Sequence, residues 1–154
     1  MGFFNFFSRY VPTAPEKLEP AHQSMVDVMA AVSCADGEVT PDEYNVVLAN
    51  IQDFVKVKEE VAELIVEKSF AILEQEHGVE LLLARLKEST LDENERSGVY
   101  MSGYAVALLG QRGEEPSERE LLERVAEILS LSKTQTHEIE EQCRQALSYT
   151  TEQG

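Results

Sequence analysis

Apolar residues recur three and four positions apart along most of the chain, and no convincing run alternates at period two, so the pattern predicts an all-α protein. The first helix is expected over His22 to Ala35, with Met25, Val28, Met29 and Val32 on one face, and Asp36-Gly37 stops it because glycine suits the left-handed turn that ends a helix. Thr40-Pro41-Asp42-Glu43 restarts the chain: threonine caps, proline fits the first helical position, and Glu43 reaches back as a capping box. That second helix carries Tyr44, Val47, Leu48 and Ile51. A third begins near Lys58, presents Ala62, Ile65, Val66, Phe70 and Leu73, and ends before His77-Gly78; a short fourth holds Leu82, Leu83 and Leu86. The Leu91-Asp92 region opens a fifth helix with Tyr100, Tyr104, Ala107 and Leu108 inward, which stops around Gly110 to Gly113. Ser117 to Glu120 reads as a second capping box, starting a sixth helix with Leu121, Val125, Ile128 and Leu129. The last runs from about Thr134 to Tyr149, its stripe made of Ile139, Cys143, Ala146 and Leu147. About seven helices are expected in one bundle.

The order of elements repeats. Helix, glycine-containing acidic loop, capped helix, short break and helix occur once from Met25 and again from Met101. Aligning Glu43 with Glu120 sets Leu48, Ala49 and Ile51 against Val125, Ala126 and Ile128. Aligning Met25 with Met101 sets Ala31-Val32 against Ala107-Leu108, an offset shorter by one, so one loop is a residue longer. An internal pseudo-twofold duplication explains this order better than chance likeness between amphipathic helices. The expected domain is residues 21–150, preceded by an aromatic arm and proline-containing linker over 1–20 and followed by a tail over 151–154.

Length and composition narrow the class. A chain of 154 residues can bury one sizeable core. No uncharged apolar run is long enough for a membrane span, and the apolar start lacks the basic segment of a secretory leader. Cys34 and Cys143 are far apart in sequence and form no C-x-x-C pair, which suits buried free thiols in a reducing cytoplasm. Against 13 basic residues stand 29 acidic ones, a formal charge of −16 that repels phosphate backbones and anionic bilayers and attracts cations and basic proteins. Nucleic acid is therefore not an expected partner. There is no P-loop lysine after Gly110 or Gly113, no nucleophile elbow, and no metal spacing among His22, His77 and His137, each expected to be exposed or beside a cap. Pairs such as Glu59-Glu60 and Glu140-Glu141 read as solvated helix faces. Binding is expected, and catalysis is not.

The stretch from Ser33 to Ile51 carries the most chemistry. Asp36-Gly37 followed by Glu43 is like the second half of an EF-hand calcium loop, but the first and third ligand positions would fall on Val32 and Cys34, which offer no oxygen. The Ala-Asp-Gly-Glu-Val run, the Pro-Asp-Glu that follows and the amphipathic helix after it resemble the signature of the tellurite-resistance TerB-like family, from about Ser24 to Ser148. The MGFF start is also like members of that family. The resemblance implies a compact helical bundle, acidic residues of the two repeats near a shared surface, a divalent-cation site, and a place in a bacterial stress-response assembly near a membrane partner protein. Carried onto this chain, its acidic positions are Asp36 and Glu43; in the second repeat Arg112 replaces the aspartate and only Glu120 remains.

Two readings of that loop stay open. Asp36 can be a turn residue and Glu43 a cap for Thr40; alternatively Asp36, Glu38 and Glu43, joined by Glu120 across the pseudo-twofold, hold calcium, magnesium or manganese, the ions that suit an all-carboxylate set. A carboxylate enzyme pairing Glu43 with Glu120 is the remaining alternative. In the arm, Phe3, Phe4, Phe6 and Phe7 form an apolar group that either folds back on the bundle, pairs two protomers, or docks on a partner. Myristoylation is rejected because Phe6 stands where Ser or Thr is required.

Overall fold

The computed structural model describes residues 20–35, 41–54, 58–109 and 116–153. Among the described residues there are seven α-helices and no strand: α1 Pro20–Ser33, α2 Pro41–Phe54, α3 Glu59–Leu73, α4 Gly78–Glu88, α5 Glu93–Leu109, α6 Pro116–Ile128 and α7 Lys133–Gln153. The all-α expectation and the helix order hold. Arm residues Phe3, Phe4, Phe6 and Phe7, and loop residues Asp36, Gly37, Glu38 and Thr40, lie outside the described residues.

Local chemistry explains several of the ends. Pro41 and Pro116 each occupy a first helical position, where a missing N–H costs nothing. Because α6 begins at Pro116, Ser117 lies inside its first turn and is not the cap that its spacing from Glu120 suggested. Among the described residues the reciprocal capping boxes stand elsewhere. Before α5, the Glu95 backbone N–H donates to Asp92 Oδ1 at 2.8 Å and the Asp92 N–H to Glu95 Oε1 at 2.9 Å. Ahead of α7, Gln135 N–H donates to Ser132 Oγ at 3.1 Å and Ser132 N–H to Gln135 Oε1 at 2.8 Å. Between α3 and α4 the left-handed residue is His77, at φ 60°, and Gly78 beside it serves closeness. A Cβ on Gly78 would lie 2.5 Å from both Cα and O of Leu73, so the tight turn onto α3 requires glycine.

Two helices make the interior. In α1 every residue from Met25 to Val32 is buried, not just the face of Met25, Val28, Met29 and Val32 that its spacing marked. The opposite side carries Val26, Ala30 and Ala31, short enough for neighbours to close on all sides, and α2, α3, α4, α5 and α6 do so. From Val99 to Ala107, α5 is buried in the same way. Its most extensive packing is with α1, where Gly103 sits so close that a Cβ would come within 2.5 Å of Val28 Cγ1 and 3.3 Å of Leu122 Cδ2. Each fully buried Met, Leu or Ile here contributes about 1.5–3 kcal/mol. Around this pair, α2 and α3 pack on α1 and on each other, with the Tyr44 ring edge-on to Phe70 at 5.3 Å; α6 and α7 pack on α5 but barely on each other.

His22 departs from expectation. It is fully buried in the first turn of α1, because that turn enters the interior at once. Cys34 and Cys143 are buried and form no disulfide, as expected, and burial pushes the Cys143 thiol up to about 12. No described helix is long and apolar enough to cross a membrane.

Candidate functional site

Among the described residues two carboxylates leave the solvent, and each gathers the same kind of partners. Asp27 projects from the middle of α1 and is 2% exposed. Arg85 of α4 grips it with Nε at 2.8 Å from Oδ2 and Nη2 at 2.6 Å from Oδ1, while Ser69 of α3 donates its hydroxyl to Oδ1 at 2.6 Å. Gln23, one turn before Asp27, donates to Ser69 Oγ at 3.0 Å. A buried charge is tolerable only when paired and hydrogen-bonded, and here three helices supply the partners. The hydrogen bond to Asp27 raises the Arg85 pKa against the opposing effect of burial.

Glu140, on α7, is 8% exposed. Arg119 of α6 holds it with Nη1 at 2.9 Å from Oε2 and Nη2 at 3.1 Å from Oε1, and Tyr100 of α5 donates its phenol to Oε2 at 2.6 Å. Burial alone would raise the Glu140 pKa, but hydrogen bonds from Arg119 and Tyr100, with the charges of Arg119 and Arg144, outweigh it and leave the pKa lowered. Tyr100 moves the other way: burial first, then its bond to the Glu140 carboxylate, raises the phenol well above its ordinary value. Beside this group the Tyr104 ring lies 5.7 Å from the Arg119 guanidinium and 6.0 Å from that of Arg144, which also donates to Tyr104 Oη at 2.6 Å.

The second group has an opening above it. Between α6 and α7, which pack little on each other, lies a trough of about 610 Å³ with the buried Tyr100 and Glu140 and the Arg119 guanidinium in its lining. Ala126 and Leu131 add apolar surface, Glu123 and Glu127 line the α6 side, and Lys133 and His137 line the α7 side. No unpartnered buried side-chain atom lines the trough; among the described residues such atoms occur at Ser33, Asn50 and Arg96. The arrangement holds helices together and offers a recess with charged edges.

The acidic quartet expected from the sequence is placed only in part. Asp36 and Glu38 lie outside the described residues; Glu43 falls in the first turn of α2, with its side chain outside them too; Glu120 is exposed on α6, where its charge acts on Arg124 one turn away. Among the described residues no group of three or more His, Cys, Asp or Glu side chains is arranged to hold a metal. Val32 and Cys34, where an EF-hand would place its first and third ligands, are core residues. Glu140 overturns its reading as part of a solvated face: Glu141 is exposed and Glu140 is not, because the latter points towards Tyr100 and Arg119. Sequence reasoning missed both buried pairs. Asp27 carried a visible signal, a lone charge inside Met25-Val26-Asp27-Val28-Met29; Glu140 sits beside the Ile139–Cys143 stripe and carried none that separates it from Glu141.

A comparison with curated proteins returns no match, and one with solved structures returns none. Residues 22–141, most of the chain and nearly all of the described bundle, match the family model for tellurite resistance protein TerB, and the chain belongs to that family.

Proposed function

We propose that this chain is a non-catalytic binding module of a bacterial tellurite or chemical-stress system, working in the cytoplasm and reaching the inner membrane through a membrane-embedded protein partner. The family match over residues 22–141 carries the reading. A charge of −16 favours basic protein surfaces over nucleic acid. The buried ionic groups at Asp27 and Glu140 have their oxygens taken up by neighbouring helices, as structural ties do. Phe3, Phe4, Phe6 and Phe7 supply an apolar arm for docking or for pairing two copies. Asp36, Glu38, Glu43 and Glu120 are the candidate ligands for calcium, magnesium or manganese.

The test is growth on tellurite. A host stripped of this chain should lose tolerance at a concentration the parent survives, and the full chain should restore it; equal growth without the chain refutes the stress role. Calorimetry with calcium, magnesium and manganese tests the cation separately. Absence of heat at millimolar metal, or heat unchanged in Asp36→Ala, rules that site out.

A further inference from the structure

Resting on the reading of the chain as a protein-binding module, we infer that the trough between α6 and α7 receives one amphipathic helix of a partner protein. That helix is apolar on its inner face, basic on the edge that meets Glu123 and Glu127, and acidic on the edge that meets Lys133.

The charge pattern selects this occupant. Glu123 and Glu127 are one turn apart on α6, and Lys133 and His137 one turn apart on α7, so both edges are ruled at helical spacing along the trough. None of the four forms an ion pair or side-chain hydrogen bond among the described residues, although the two edges have opposite sign. The helices that carry them, α6 and α7, pack little on each other, whereas α2 and α3 close on each other through Tyr44 and Phe70. A helix laid in the gap would complete the layer that the first half of the chain completes by itself. It would also bring a charge of opposite sign to each edge.

The floor argues against a small polar ligand. Such pockets hold their ligands with convergent polar groups left free for the purpose. Here both Glu140 oxygens already accept hydrogen bonds, Tyr100 donates its proton to one of them, and Arg119 is engaged with both. What remains for an incoming group is the apolar surface of Ala126 and Leu131, with the charges along the rim. That is a surface for side chains on a helix.

The probe is a fluorescent synthetic helical peptide with a leucine stripe, one lysine edge and one glutamate edge, titrated against the full chain by anisotropy. Saturable binding is expected, weakened about ten-fold or more by E123K/E127K, whose two edges are then both cationic. The same variant should bind a peptide with two glutamate edges more tightly than the native chain does, a gain that misfolding cannot mimic. Ala126→Arg, which fills the trough without changing its walls, should abolish binding of the first peptide while circular dichroism stays native. Binding indifferent to E123K/E127K, or retained in a folded Ala126→Arg chain, overturns the proposal. Growth on tellurite scores the parent reading independently, because it depends on the whole chain and not on this peptide.

Discussion

Asp27 and Glu140 are built alike and do different work. Each is a carboxylate on one helix, gripped at two points by an arginine from a second and by a hydroxyl from a third, so each ties three helices together. Around Asp27 the three helices α1, α3 and α4 also pack on one another, and the carboxylate is sealed while Arg85 reaches the surface. Around Glu140 the helices α6 and α7 meet mainly through the tie itself and through α5, so a trough stays open above it. The same ionic chemistry is core cement in one half and the floor of a recess in the other. Packing of the surrounding helices makes the difference.

The largest expected effect is at the sealed carboxylate. Asp27→Ala leaves Arg85 without its counter-charge and Ser69 with only its longer bond to the Ile65 carbonyl, and should cost about 3 kcal/mol, the lower edge for breaking a buried pair, because the Arg85 side chain is 38% exposed and can turn to water. The urea midpoint measures it; a loss under about 1 kcal/mol would place Asp27 with surface ion pairs and erase the contrast.

Glu140→Gln should cost less, roughly 1–2 kcal/mol at neutral pH, since an amide still accepts hydrogen bonds but lacks the charge. The pH dependence carries a sign. Glu140 has a lowered pKa in the fold, so its stabilisation is present above the unfolded carboxylate value of about 4.3 and is lost as pH falls through the folded value. Melting curves of native and Gln chains should therefore converge in acid and separate towards neutrality. Curves that stay parallel refute the assignment.

Tyr100→Phe should cost about 1 kcal/mol, one buried hydrogen bond. Tyr100 has a raised pKa, so its contribution is complete below the unfolded phenol value of about 10 and is lost as pH climbs beyond it. The gap between Tyr and Phe chains should narrow in alkali, by thermal denaturation between neutral and strongly alkaline buffer. Smallest of all is the exposed pair of Arg124 with Glu80, at 2.7 Å; Arg124→Ala should shift stability by less than about 1 kcal/mol and marks the baseline for an ion pair without burial.

The helical periodicity alone was enough for an all-α bundle of seven helices, because any amphipathic segment of that length must bury its stripe against another helix. It also placed Val47, Ile51, Phe70, Leu82, Tyr100, Leu121 and Cys143 inside, as the structure does. Capping was legible less evenly. The box at Ser117 to Glu120 gives way to Pro116 as the helix start, while the pairs Asp92–Glu95 and Ser132–Gln135, which have the same spacing, are the boxes that form.

Tertiary structure alone decided which helices become central and which charges go inside. A one-sided stripe on α1 cannot show that small residues on its other side admit five neighbours, since enclosure depends on what approaches in space. Likewise Glu140 and Glu141 are indistinguishable in sequence; only the position of Arg119 and Tyr100, 21 and 40 residues away along the chain, makes one a buried tie and the other a surface charge. Periodicity is a property of neighbours one turn apart. The burial of a charge depends on residues that only folding brings near.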